Sequence, residues 1–303
     1  MLGPVEGPMS IRPFRTDDAS ALVALSKVCL RGESDFVLNP LWETEAELFA
    51  EFERFGIDPE EHLLVADPGD GEAVGMAGFL RHPGASAAGI FCPIVQSAER
   101  GRGLGGELLR AAMELGAQKL GIELVAAGIG TRNRAGYSLL TALGFRPVRQ
   151  HFMMRCDAAP QVPSEPVANL ELVTATPGDA EAILEIYSAC GFEKRSLERM
   201  RTLLEDGSHF HAIARHDGRA VAFTEVETHW PRRVWVSYVG VDTELRDRGL
   251  GSTLVAWSLA RRFEEGAHSA LLLLSPANRT AVRAYEKVGF RRYRLIDVLE
   301  RAL

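Results

Sequence analysis

The chain repeats itself once, and that repeat restricts its fold more than any other feature. Residues 99–109, ERGRGLGGELL, are answered by residues 245–255, LRDRGLGSTLV, which places Gly103 and Gly105 146 residues before Gly249 and Gly251. Residues 133–145, NRAGYSLLTALGF, are answered by residues 278–290, NRTAVRAYEKVGF, at an offset of 145. Near the start, residues 11–29 match 172–190, with Cys29 paired to Cys190 at 190 − 29 = 161. Three ordered matches describe a duplicated domain. The fall from 161 to 146 puts 15 extra residues into the first copy between Cys29 and Val95. A chain of 303 residues has room for two domains of about 100–200 residues each.

Residues 158–168, with Pro160, Pro163 and Pro166 and no apolar periodicity, suit an extended linker. The expected division is therefore a first domain over 1–157, the linker 158–168, and a second domain over 169–303. Within the second copy, apolar spacing predicts a strand at 170–174 and helices at 178–190 and 196–204. Strands at 209–215 and 220–228 flank the hairpin signal Asp217-Gly218. A strand at 234–241, a helix at 251–263, a strand at 270–275, a helix at 279–288 and a last strand from 291 complete the copy. Strands interrupted by helices imply an α/β sheet with helices on its faces.

The formal charge of −7 argues against nucleic acid, and the apolar runs are too short to span a membrane. The opening residues lack a basic stretch followed by an apolar one, so a cytoplasmic location is expected. Cys29, Cys92, Cys156 and Cys190 are too dispersed for a disulfide framework and read as reduced, mostly buried thiols. No metal is expected: the eight histidines show no HExxH spacing, and His209 and His211 read as alternating along a strand.

The segment Arg246, Asp247, Arg248, Gly249, Leu250, Gly251, Ser252 lies between a β-branched strand and a helix start. Backbone N–H groups are unpaired there and the helix dipole favours an anion, so glycines that let the backbone curl make a phosphate cradle. A ligand-free turn would look the same in one copy. Its recurrence as Arg100, Gly101, Arg102, Gly103, Leu104, Gly105, Gly106, after a strand ending at Val95, favours the cradle.

At these residues the sequence resembles the GNAT superfamily of acyl-CoA-dependent acyltransferases, whose phosphate loop reads Gln/Arg-x-x-Gly-x-Gly/Ala. The family's later Asn, Tyr and Gly-Phe are matched by Asn278, Tyr285 and Gly289-Phe290. The tandem arrangement is similar to that of the mycothiol synthases. The resemblance implies two mixed, mostly antiparallel sheets, each splayed between its fourth and fifth strands to admit the pantetheine arm. Gly240 is expected to mark the bulge that starts the splay. It further implies acetyl-CoA, or another short acyl-CoA, as cosubstrate, a small-molecule or peptide amine as acceptor, and direct transfer in a ternary complex. The amide of Val239 would hold the thioester carbonyl, Val241 would pair with pantetheine, and Asn278 would fix the cofactor and the following helix. Tyr285 would protonate the departing thiolate.

The first copy departs at two places: Leu140 stands where Tyr285 should be, and Pro93, without an N–H, stands at the position of Val239. It is expected to be noncatalytic, with at most CoA binding. In the second copy Trp235 occupies the position where many relatives carry a carboxylate. Glu225, Glu227 and His229 are the alternative general bases. The same gap leaves a second possibility, a CoA-responsive binding protein without turnover.

Overall fold

The computed structural model describes residues 9–69, 71–82, 84–162, 169–228 and 230–303. The elements run β1 (Ser10–Pro13), α1 (Ala19–Arg31), α2 (Glu45–Phe55), α3 (Pro59–His62), β2 (Leu63–Asp67), β3 (Gly75–Leu80), β4 (Ala87–Val95), α4 (Leu104–Gln118), β5 (Leu124–Gly130), α5 (Arg134–Ala142) and β6 (Arg146–Cys156). The second copy follows with β7 (Leu170–Thr174), α6 (Ala180–Ala189), α7 (Leu197–Glu205), β8 (His209–His216), β9 (Arg219–Glu227), β10 (Arg233–Val241), α8 (Leu250–Glu264), β11 (Ser269–Leu274), α9 (Arg279–Val288) and β12 (Arg291–Ala302). Each expected element of the second copy is present within one or two residues. The β8–β9 turn takes φ 49° at Asp217 and 81° at Gly218, the left-handed pair that a tight hairpin requires.

The compact units cut the chain differently from the repeat. The first unit is Met1–His151 with Leu295–Leu303, and the second is Phe152–Arg294. In the first, β1, β2, β3, β4 and β5 are hydrogen-bonded in that order, and β5 takes β12 as its outer antiparallel partner from Ile296↔Gly130 to Ala302↔Leu124. In the second, β7, β8, β9, β10 and β11 follow the same order, and β11 takes β6, from Leu274↔Phe152 to Ala270↔Cys156. Each copy thus sends its last strand to the other copy's sheet. Two copies of one domain offer equivalent edges, so such an exchange keeps the same ladder bonds. A linear boundary drawn from the repeat could not foresee it. Of the expected linker, residues 163–168 lie outside the described residues.

In the second unit, alternation along the strands sorts the side chains. Ala212, Ala214, Ala222 and Val226 meet Leu250, Leu254, Val255 and Leu259 of α8 on one face. Ile213 and Phe223 meet Ile183, Ile186 and Tyr187 of α6 and Met200 of α7 on the other. Gly240 belongs to this second face, where a Cβ would stand 2.4 Å from a ring carbon of Phe223. Gly240→Ala is therefore expected to destabilise the protein by about 1–3 kcal/mol through overpacking, measurable by urea denaturation. No helix among the described residues is long and apolar enough to cross a membrane.

Candidate functional site

In the second unit β10 and β11 pair in parallel only from Arg233↔Ser269 to Trp235↔Leu271, although β10 runs on to Val241 and β11 to Leu274. The strands part beyond that point and leave a V-shaped cleft. The extra residue that bends β10 lies between Val236 and Tyr238, at Ser237, so the bulge is three residues before Gly240. Gly240 is glycine because of Phe223, which is what misled the sequence argument. The Asp242 amide donates to the Val221 carbonyl at 2.8 Å. By strand alternation Gly240 then faces β9, and the main-chain groups of Val239 and Val241 face the cleft.

The loop at the cleft's mouth has the same backbone in both units. Gly249 precedes α8 at φ 84° and Gly103 precedes α4 at φ 89°; Asp247 and Gly101, two residues earlier, are at 62° and 78°. The first amides of α8, from Leu250, Gly251 and Ser252, and of α4, from Leu104 and Gly105, have no partner within the helix, as helix geometry dictates, whereas the Gly106 amide donates to the Gly103 carbonyl at 2.9 Å. A Cβ on Gly251 already approaches Val241 at 3.3 Å and Val239 at 3.6 Å, so its smallness keeps the cradle against the strand. Arg246 is a brace rather than a free cation: Nε donates to the Val241 carbonyl at 3.3 Å and an Nη to the Ala189 carbonyl at 3.4 Å. Arg100 braces Val95 in the same way at 2.8 Å and pairs with Asp35 at 2.8 Å. Arg248 is exposed, and Arg102 pairs with Glu99 at 3.0 Å.

Asn278 caps α9 by accepting from the Ala281 amide at 3.1 Å. One helical stretch later Tyr285 is half-buried, its ring edge-on to Phe290 at 5.6 Å, and desolvation pushes its hydroxyl up to about 12. It stays protonated at neutral pH, as a proton donor must. In the first unit Leu140 at that place is a core residue, 1 % exposed.

The other face of the sheet carries a polar constellation that the sequence only half revealed. His209 and His211 on β8 lie opposite Glu227 and Glu225 on β9, so all four project from one face. Glu225 is 1 % exposed; Arg195 grips it at 2.5 and 3.3 Å, and His211 Nε2 stands 3.4 Å away. The Arg195 guanidinium lies 4.9 Å from the Tyr187 ring centre and 4.7 Å from that of Tyr238. Burial raises the Glu225 carboxyl, but His211 and Arg195 outweigh it and hold it at about 2. A carboxylate so reluctant to take a proton is a poor general base, which removes Glu225 from that role and makes it a structural anion. Glu227 is half-exposed and accepts from the Ser237 hydroxyl at the bulge. His229 lies outside the described residues. Arg195, Tyr187 and the two histidines were missed as site members, yet the paired H-x-H and E-x-E spacings on hairpin strands were a signal for the last two.

Among the described residues, the one group whose ligand atoms converge within 4.8 Å of one another is His209, Glu225 and Glu227. Arg195 already neutralises part of its charge. Register carries Val241↔Ala222 onto Val95↔Gly75, so 222 − 75 = 147 relates β9 to β3. Glu225 and Glu227 thus correspond to Gly78 and Leu80, and His211, opposite Glu225, corresponds to Leu63, opposite Gly78. The first unit lacks the constellation. Its Cys92 is 3 % exposed, and burial pushes the thiol up to about 12, against any covalent relay there.

Residues 31–145 and 180–290 match the acetyltransferase (GNAT) family. A mycothiol acetyltransferase from Thermobispora bispora is 31 % identical over 305 residues, spanning 94 % of this chain and 96 % of that protein. A mycothiol acetyltransferase from Mycobacterium avium is 29 % identical over 79 % of this chain and 83 % of its own. In fold, the chain is similar to a GCN5-related N-acetyltransferase from Sphaerobacter thermophilus, with a TM-score of 0.79 at 22 % identity over 98 % of this chain and 96 % of that one. It is also similar to a tandem GNAT protein from the clavulanic acid biosynthesis pathway, with a TM-score of 0.69 at 18 % identity, covering 97 % and 98 %.

Proposed function

The chain belongs to the acetyltransferase (GNAT) family, and we propose that its second unit transfers the acetyl group of acetyl-CoA directly to a primary amine while the first unit does no chemistry. The observation that carries this is the asymmetry of the clefts: Val239 turns an amide into the second, where Pro93 has none to offer the first. The diphosphate of acetyl-CoA sits on the amides of residues 250–252 and the pantetheine arm runs along Val241. The Val239 amide receives the carbonyl oxygen as it gains negative charge. The amine nitrogen attacks the carbonyl carbon, the C–N bond forms, the C–S bond breaks, and Tyr285 protonates the sulfur. Glu227 takes the proton that the amine loses.

The test is amine-dependent release of CoA thiol from acetyl-CoA, with desacetyl-mycothiol among the amines because of the relatives' name. Val239→Pro is expected to lower kcat by about 10²-fold with little change in stability. The amide faces the cleft, so proline costs no ladder bond, and the first unit folds with Pro93 at that place. Glu227→Gln is expected to abolish the acidic limb of the pH–kcat/KM profile and to lower the plateau at least tenfold, whereas an unchanged profile excludes Glu227 as base. Trp235 at the position of the relatives' carboxylate favours the second reading, a CoA-binding protein without turnover. Saturable acetyl-CoA binding with no release for any amine would establish it.

A further inference from the structure

The β8–β9 hairpin carries more polar groups than the acetyl transfer uses. It sets His209 opposite Glu227 and His211 opposite Glu225, and strand alternation sends all four side chains to one face. There a ring nitrogen of His209 and a carboxylate oxygen each of Glu225 and Glu227 lie within 4.8 Å of one another. Ligands held at about 2.0–2.2 Å by one ion stand about 3–3.5 Å apart, so shifts of about 1 Å per side chain bring the three onto a common centre.

Each of the three has a neighbour that fixes its direction, as metal ligands do. The Arg195 guanidinium and His211 Nε2 approach Glu225 Oε2 at 2.5 and 3.4 Å. A carboxylate presents about four lone-pair directions, and Arg195 uses two of them. The Ser237 hydroxyl donates to Glu227 Oε1. His209 Nδ1 has the Ser208 hydroxyl at 3.2 Å and the Asp206 carboxylate at 3.3 Å. Two observations say that packing alone did not put these groups here. His211 is 3 % exposed, aims Nε2 at Glu225, and has no hydrogen-bond partner for either ring nitrogen among the described residues, an unsatisfied burial of the kind that accompanies an ion or a reactive site. The first unit builds the same sheet without it, with Leu63, Gly78 and Leu80 at the places of His211, Glu225 and Glu227.

We propose that His209, Glu225 and Glu227 form a zinc site, and that the bound ion arrests acetyl transfer. One imidazole and two carboxylates suit zinc, with solvent completing its coordination; calcium asks for about six to eight oxygens and copper(I) for thiolates or thioethers. The ion occupies the lone pairs with which Glu227 accepts the proton of the amine. The arrest therefore rests on Glu227 as the base of the second unit, whereas the binding does not.

Calorimetric titration of the chelator-stripped full chain with Zn²⁺ is expected to show one tight equivalent, which His209→Ala and Glu227→Gln each weaken by about tenfold or more. Zn²⁺ should raise the Tm of the wild type and leave that of His209→Ala in place. Where His209→Ala melts below the wild type without metal, Glu227→Gln, at a half-exposed position, carries the test. Co²⁺ in place of Zn²⁺ should give only weak d–d absorption; an intense thiolate-to-metal band would put the ion on a cysteine such as the part-buried Cys190 and overturn the assignment. A wild type that binds no Zn²⁺, or variants that bind it as tightly as the wild type, overturns it as well. With formation of the acetylated amine as readout, because Zn²⁺ also binds free thiols, saturating Zn²⁺ should slow the wild type by about tenfold or more and a chelator should restore it. A zinc-loaded protein as fast as the stripped one overturns the arrest. A protein that binds zinc at these residues but acetylates no amine in either state overturns the acetyl-transfer reading, and the arrest with it, and leaves the site standing.

Discussion

Tyr285→Phe is expected to lower kcat by about 10²–10⁴-fold, the usual contribution of a positioned acid, while the affinity for CoA stays within about threefold. The substitution removes only a hydroxyl. The ring keeps its edge-on contact with Phe290, 5.6 Å between centres, so α9 and its Asn278 cap are undisturbed. Because desolvation holds the hydroxyl at about 12, ionisation of Tyr285 should cost the wild-type enzyme no activity at any pH up to about 10. Single-turnover measurement of thiol release separates this from slow product release. A rate within threefold of wild type would show that another group or water protonates the sulfur.

What the sequence disclosed follows from what repeats. The phosphate loop was legible because left-handed backbone at 101, 103 and 249 demands glycine, and because the motif occurs twice between a strand and a helix. The exchange of β6 and β12 was not legible: both strands have the right composition, and nothing local says which edge each joins. Gly240 was misread for the opposite reason. A glycine in a strand signals either a bulge or a close neighbour, and only the three-dimensional position of Phe223 decides between them. The fifteen extra residues of the first copy could be counted in the sequence, but not that three of them, Phe36, Val37 and Leu38, would cover the edge of β5. Glu225 and Glu227 looked alike two residues apart. Arg195, 30 positions away from Glu225, makes that one a buried, fixed anion, while Glu227 stays half-exposed and accepts from the Ser237 hydroxyl at the bulge.

That difference has a measurable consequence. Glu225→Gln is expected to destabilise the protein by about 3–5 kcal/mol, the cost of removing one partner from a buried ion pair. Arg195 would keep its place between Tyr187 and Tyr238 with its charge uncompensated, and His211 would lose its neighbour. Glu227→Gln, at a half-exposed position, should change stability by no more than about 0.5 kcal/mol, so the two variants separate a structural carboxylate from a chemical one. The wild-type pH dependence follows from the same pair. The folded state holds Glu225 at about 2 against 4.5 for a free side chain, so its contribution is complete above pH 5 and is lost as pH falls through 4.5 toward 2. Urea denaturation of wild type and Glu225→Gln between pH 7 and pH 3 should therefore show the gap between them narrowing with acid. A gap that is constant over that range would mean that Arg195 stabilises the sheet through its ring contacts alone.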